Sequence, residues 1–496
     1  MAKRPEPMSA LNVDSRRIRA LVDRAADLVG EFYEKLPSLP VDRPRTIEEV
    51  RETVARPIPE EGLDDDELFE YLRDVVFETA MYPGHPGFLA YVVGAGTPHG
   101  AVADLVAAAI NQNLGGWRLG PGGTEMELHL TAWFARAFGL PEGAGGLVTS
   151  GGSMANFVAL KVARDRALGL EVREDGLAGA RLTAYTSGEV HFATTRAADM
   201  LGLGSSSVRR IPFDDRYKVD TAALREAVRR DRDEGFTPFA VIVTAGTVGT
   251  GAVDPLDEIA DLCEAEGLWM HVDAAYGGPA AFTDELRPLF AGIERAQSIA
   301  FDPHKWLYTP QSGGVVLVRD LQWLSDSFAA HATYVHEDKE LTGRGLDLGM
   351  MGPQLSRSFW ALKIMVSLLA YGTRAYSQRI AHDVALARYL AELVEEHDEL
   401  ELMAPVELSI CCFRYVPRDM RDAPDDAYLD RLNERLMAAV QVDGRVYFSN
   451  AVLHGGRFVL RCCIVNFRTE AEHIEKVVAV ATELGAALDA EMRPGR

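Results

Sequence analysis

The stretch SIAFDPHKWLYTP (298–310) sets one lysine, Lys305, between His304 and Trp306 in an otherwise apolar, proline-punctuated run. A lysine at the end of such a strand has two fates. Its stem lies along apolar surface while the ammonium reaches water, or it sits in a partly dry site where a lowered pKa frees the amine to form a Schiff base. Three other stretches bear on the choice. In LVTSGGSMAN (147–156) an apolar strand ends at Thr149 and Ser150, and a helix begins after Gly151, Gly152 and Ser153. Backbone N–H groups at a helix start, with a hydroxyl beside them, suit an anion; an ordinary glycine turn with a serine cap reads the same way. The lysine of a Walker loop and the GxGxxG dinucleotide fingerprint are both absent. In LWMHVDAAYGG, Asp273 closes an apolar strand. A carboxylate there is costly unless a cation or hydrogen bonds meet it. An arginine, a helix cap or a protonated heterocyclic nitrogen would each serve. Ala275, two residues on and on the same side, is small enough for a flat ring to lie against. In YTSGEVHFATTRAADMLG, His191 follows a strand and precedes a helix, a place that also suits a core or capping histidine.

Together the four form a set. Pyridoxal phosphate needs an anion site, a ring platform, an anion facing its pyridinium nitrogen and an amine for its aldehyde. Asp273 would keep the ring nitrogen protonated, which makes the ring a sink for an electron pair released at an amino acid's α-carbon.

Such residues need strand ends to hold them. From about 86 to 390 the pattern alternates strand, turn and helix, which predicts a mostly parallel sheet covered by helices, an α/β architecture. FAVIVTAG and LWMHVDAAY are nearly continuous apolar runs, as doubly covered strands should be. Asp257 is the expected N-cap and Gly267 the expected C-cap of the helix between them. Open α/β sheets bind ligands at the carboxyl ends of their strands, where these residues fall. Residues 1–85 read as an N-terminal helical arm too thin to bury its own apolar face, and 391–496 as a small C-terminal α+β domain containing LSICCFRYV, RFVLRCCIVN and a final helix. A chain of 496 residues fits two or three domains. Its net charge of −23 argues against nucleic acid and anionic membranes as partners. There is no apolar run of membrane-spanning length and no signal-peptide core. Cys263, Cys411, Cys412, Cys462 and Cys463 form no CxxC pair and read as reduced packing residues of a cytoplasmic protein, with no metal site expected.

The chain resembles the group II pyridoxal-phosphate-dependent amino-acid decarboxylases, in particular the aromatic-L-amino-acid decarboxylase branch. The motifs that carry the resemblance are HPGFLAY (85–91), GPGGTEMEL (120–128), VHFATTRAA (190–198), GTVGTGAVDPL (246–256), HVDAAYGG (271–278), DPHKWL (302–307) and SRSFWALK (356–363). The resemblance implies fold type I and a homodimer with sites at the interface. It implies that Lys305 is the Schiff-base lysine, Asp273 the partner of the pyridine nitrogen, and His191 and Ala275 the residues on the two ring faces. Gly152, Ser153, Asp302 and His304 match positions around the phosphate, and Thr247 a position near the phenolic oxygen and the substrate carboxylate. Asp302 departs from relatives with asparagine there, and a carboxylate beside a phosphate would repel it. A loop after the lysine carries Tyr334, matching a tyrosine that protonates the α-carbon after CO2 leaves. Relatives with phenylalanine there tend to consume oxygen and release an aldehyde. Tyr91, Val92, Asn113, Gly115 and Ser356 match substrate-pocket positions, Asn113 and Gly115 reaching it from the neighbouring subunit. The reaction expected is decarboxylation of an L-amino acid, aromatic by preference, to the amine and CO2. Oxidative deamination to an aldehyde, or an aminotransferase or aldolase reaction on the same scaffold, are the alternatives.

Overall fold

The computed structural model describes residues 11–330 and 345–494. Among the described residues the strands are β1 (Phe88–Leu89), β2 (Gly145–Thr149), β3 (Leu182–Ser187), β4 (Val208–Ile211), β5 (Thr237–Thr244), β6 (Trp269–Asp273), β7 (Ser298–Phe301), β8 (Gly314–Val318), β9 (Leu400–Leu402), β10 (Ile410–Tyr415), β11 (Tyr447–Leu453) and β12 (Arg457–Cys463). The larger sheet runs β2-β8-β7-β6-β5-β3-β4. Only β8 runs against its neighbours; the pairs from β7 across to β4 are parallel. The central strands are buried along their length, because helices cover both faces and a doubly covered parallel strand must be apolar throughout.

The two faces pack different helices. Ala240, Ile242, Trp269 and Ala300 meet the helix Gly152–Leu168. Val241, Val243, Met270, Val272 and Ile299 meet the helix Leu256–Glu266. Side chains alternate along a strand, so Trp269, His271 and Asp273 of β6 share the first face. That helix therefore packs against the row containing the sheet's polar residues.

The smaller sheet, β1-β11-β12-β10-β9, is covered by the helices Asp426–Asp443 and Ala471–Met492. The helical run Trp360–Glu396 is broken at Gly372 (φ 74°, ψ 157°), and position 390 falls inside its second part, which packs on the small sheet. β1 pairs in parallel with β11 although it precedes the large sheet in the chain. The expected C-cap Gly267 is in place, left-handed at φ 65°. The N-cap is Pro255 rather than Asp257, which lies in the first turn, where its charge still suits the helix dipole.

The arm holds the helices Ser15–Lys35, Ile47–Val54 and Asp65–Leu72. The first buries no residue, and Ile18, Val22 and Val29 are exposed. Its end is pinned where Phe32 meets Phe77 and Tyr82. All five cysteines are buried and free. Among the described residues no helix is long and apolar enough to cross a membrane.

Candidate active site

A cavity of 420 Å³ opens at the carboxyl ends of the parallel strands. Lys305, Asp273, His191, Ala275, Asp302, His304, Gly152 and Ser153 all line it. The sequence scatters these residues over more than a hundred positions; the strand ends bring them together.

Lys305 is not on a strand. β7 ends at Phe301, and a single helical turn, Pro303–Trp306, carries the lysine. The turn is held from below. Trp306 and Tyr308 are buried, and their Nε1 and OH donate to Asp383 Oδ2 at 2.9 and 2.5 Å. With its neighbours anchored, Lys305 is left facing the cavity. Its Nζ lies 3.0 Å from Asp302 Oδ2. Gly94 crosses the same turn so closely that a side chain there would strike the carbonyl oxygens of His304 and Lys305.

Asp302 is buried between Gly152 and Gly314, where added Cβ atoms would lie 2.6 and 2.7 Å from its oxygens. Its Oδ1 has no hydrogen-bond partner among the described residues. His304 Nδ1 donates to Gly313 O at 2.9 Å, which turns Nε2 toward Asp302, 4.0 Å away. The helix Gly152–Leu168 starts beside them with no side-chain cap. Uncapped N–H groups at a helix start favour an anion.

Asp273 ends β6. Its Oδ1 accepts from Ala275 N at 3.1 Å and its Oδ2 from Asn156 Nδ2 at 3.3 Å. Among the described residues no arginine pairs with it, which removes one reading the sequence left open. Burial pushes its pKa up, against the Lys305 charge, which pulls it down. A cationic ring nitrogen would meet that need. His191 is half-buried. Its Nδ1 accepts from Ala193 N at 3.2 Å, so the neutral ring carries its proton on Nε2. Burial, then the Lys305 charge, lowers its pKa and keeps it neutral.

The remaining expected positions lie apart. Thr247 flanks the lining residues Gly246 and Val248, but its hydroxyl faces its own turn, 3.0 Å from Thr250 Oγ1 and accepting from Ala252 N at 3.1 Å. Asn113 Oδ1 accepts from Gly115 N at 2.9 Å and Arg357 N at 3.0 Å. Asn113, Gly115 and Ser356 therefore form one cluster outside the cavity lining. A Cβ on Gly115 would strike the Leu355 carbonyl. Tyr91 is exposed at φ 54°, and Val92 packs against the main core. Tyr334 lies outside the described residues.

Three side chains went unnoticed in the sequence. Thr244 lines the cavity with its hydroxyl buried and unpartnered among the described residues. Asn156 reaches Asp273. Arg461 of β12 is buried and donates to Val248 O at 2.7 Å and Tyr91 O at 3.0 Å. Thr244 stands opposite Asp273 in the β5–β6 register, and the run ending TAG could have flagged it.

The donor set fits pyridoxal phosphate: an uncapped helix start for the phosphate, a buried carboxylate with no arginine partner among the described residues for the ring nitrogen, and an amine in the same cavity. Comparison with known proteins agrees. The family model described as the pyridoxal-dependent decarboxylase conserved domain matches residues 48–416. The chain is 34% identical to an aromatic-L-amino-acid decarboxylase of Bacillus atrophaeus, over 96% of this chain and 97% of that one. It is 32% identical to tryptophan decarboxylase 1 of Oryza sativa subsp. japonica, over 95% and 93%. The crystal structure of Oryza sativa TDC with PLP and tryptamine superposes with a TM-score of 0.90 at 29% identity, covering 96% of this chain and 99% of that one. The fold is that of the fold type I pyridoxal-phosphate enzymes. The chain belongs to the pyridoxal-dependent decarboxylase family. It is a pyridoxal-phosphate-dependent amino-acid decarboxylase.

Proposed function

We propose that this enzyme decarboxylates an aromatic L-amino acid to its amine. The reading rests on one observation above the others: Lys305, Asp273, His191 and the start of the helix Gly152–Leu168 converge on one cavity. The aromatic preference draws support from relatives named as aromatic-amino-acid and tryptophan decarboxylases.

Bound in the cavity, pyridoxal phosphate supplies an aldehyde for the amine and a sink for the electrons left when CO2 departs. The chain's own residues do the rest. Lys305 would hold the cofactor through its amine. Gly152, Ser153 and His304 would hold the phosphate, with Asp302 beside them. Asp273 would hold a proton on the ring nitrogen. His191, neutral with a donor at Nε2, and Ala275 would take the two ring faces, with Thr247 toward the phenolic oxygen. Tyr334 would return a proton to the α-carbon, as general acid.

Two copies of the chain complete the site. The apolar residues Val102, Leu105, Val106 and Ile110 on the helix Pro98–Ile110 are exposed here, as is the apolar face of the arm, and a homodimer would cover them. Asn113, Gly115 and Ser356, clustered outside this chain's cavity, then shape the substrate pocket across the interface, with Tyr91 and Val92. Free buried cysteines and the acidic charge fit a cytoplasmic enzyme.

The test is mass analysis of products from the purified protein, pyridoxal phosphate and a panel of L-amino acids under air. An arylalkylamine from an aromatic substrate is the expected result. An aldehyde with peroxide would overturn the amine reading, and turnover confined to acidic or aliphatic substrates would overturn the aromatic one.

A further inference from the structure

A ladder of buried polar groups runs beneath the cavity. Trp269 Nε1 donates to Ser298 Oγ at 2.8 Å. Ser298 Oγ lies 2.8 Å from His271 Nδ1, and His271 Nε2 lies 2.7 Å from Asn156 Oδ1. Asn156 Nδ2 then donates twice, to Gly152 O at 2.9 Å and to Asp273 Oδ2 at 3.3 Å. All are buried. The strands dictate the arrangement: Trp269, His271 and Asp273 alternate along one face of β6, and Ser298 is the register partner of His271 on β7. Asn156 sits one helical turn after Gly152 on the helix packed over that face.

Proton positions follow from the ends of the ladder. The Gly152 carbonyl only accepts, so the Asn156 amide must turn Nδ2 toward it. Oδ1 then faces His271, whose Nε2 must carry a proton. Burial drives the His271 pKa down to about 3, so the ring is neutral and Nδ1 accepts from the Ser298 hydroxyl. Ser298 in turn accepts from the indole N–H, which can only donate. Every group has one role, and none can reverse without placing two acceptors face to face.

We propose that Asn156, locked in orientation by His271, is the positioning residue for Asp273. It fixes the carboxylate in its rotamer, keeps it ionised, and ties the ring-nitrogen anchor to the phosphate-binding turn through the Gly152 carbonyl. The inference rests on Asp273 facing the ring nitrogen. The charged groups facing Asp273 are Lys305 and Asp302 from the turn after β7; neutral His191 stands across the cavity. Asn156 supplies a neutral donor from a third element. Without it, the buried carboxyl takes up a proton at higher pH and the cofactor loses its counter-anion.

The experiment measures retention of pyridoxal phosphate against pH for the wild type and for Asn156→Ala, Asn156→Ser, His271→Gln, His271→Leu and Asp273→Asn. Retention is read by the visible absorbance of the lysine-linked cofactor after gel filtration. In Asn156→Ala the acid limit of retention moves to higher pH and the dissociation constant rises severalfold. Asn156→Ser serves if that variant does not fold. His271→Gln, which can still donate to Asn156 Oδ1, stays near the wild type; His271→Leu follows Asn156→Ala. Wild-type retention in folded Asn156 variants, or equal behaviour of the two His271 variants, would overturn the positioning role. If Asp273→Asn also leaves retention unchanged, the assignment of Asp273 fails with it; a change in Asp273→Asn alone overturns only the role of Asn156.

Discussion

Lys305 Nζ and Asp302 Oδ2 meet at 3.0 Å, and the second oxygen of that carboxylate is buried without a partner among the described residues. The pair accounts for an acidic residue in a place where a phosphate is expected. On the proposed reading, Asp302 would neutralise the lysine when no cofactor is linked to it and would repel the phosphate when one is.

Asp302→Asn tests this. With the repulsion gone, the phosphate should be held about fivefold more tightly, equivalent to roughly 1 kcal/mol. A fluorescence titration with pyridoxal phosphate reads it. Weaker binding would mean that Asp302 serves the cofactor in some other way.

Lys305→Ala should lose the visible absorbance of the linked cofactor and all turnover. Spectra and product assays on the same sample check both. Residual decarboxylation would remove Lys305 from its role.

Asp383 is buried and receives Trp306, Tyr308 and Arg379. Asp383→Ala strands the Trp306 and Tyr308 donors, while Arg379 keeps Glu470 and the Thr469 carbonyl, and should cost about 3–5 kcal/mol. Urea unfolding reads the loss. A cost below about 1 kcal/mol would show that the lysine turn is held by packing alone.

His271 makes a statement about pH. Its folded pKa is depressed to about 3, against 6.5 for the free ring. Below 6.5 the unfolded chain binds a proton that the folded chain refuses. The stability this contributes is complete above 6.5 and is lost as pH falls toward 3, by about 1.4 kcal/mol per pH unit. Asp254 and Asp383, raised by burial to about 6, work in the opposite sense between 3.8 and 6. The clean readout is therefore the stability difference between wild type and His271→Gln, which should narrow on acidification. A constant difference would mean that His271 is not buried in its neutral form.

Tyr334→Phe should divert product from amine toward aldehyde, with oxygen consumed. An oxygen electrode alongside amine analysis decides it; unchanged amine output would take Tyr334 out of the protonation step.

The groups that face the cavity were readable in the sequence because each breaks a local rule: a lysine, an aspartate and a glycine-serine turn at the ends of apolar runs. Their supports were not. Asn156 looks like one polar residue in an amphipathic helix, and only the packing of that helix on β6 gives it Asp273 and His271 as neighbours. Asp383 lies far along the helix Trp360–Glu396, with nothing local to link it to Trp306. β1 is a two-residue strand whose partner lies at Tyr447–Phe448, a separation no short-range pattern spans. The helical rhythm runs on past Gly372, which breaks the run Trp360–Glu396 into two helices, so the pattern alone does not mark where packing passes to the small sheet.

The clasp that Asn113 makes on the N–H groups of Gly115 and Arg357 fixes the backbone of the segment proposed to border the substrate pocket. Its side-chain oxygen is committed to backbone, and Gly115 has no room for a side chain against the Leu355 carbonyl. Changes at either position would disturb that backbone first. Ser356, exposed beside the clasped Arg357, is the member of this proposed wall whose side chain could change without loosening it.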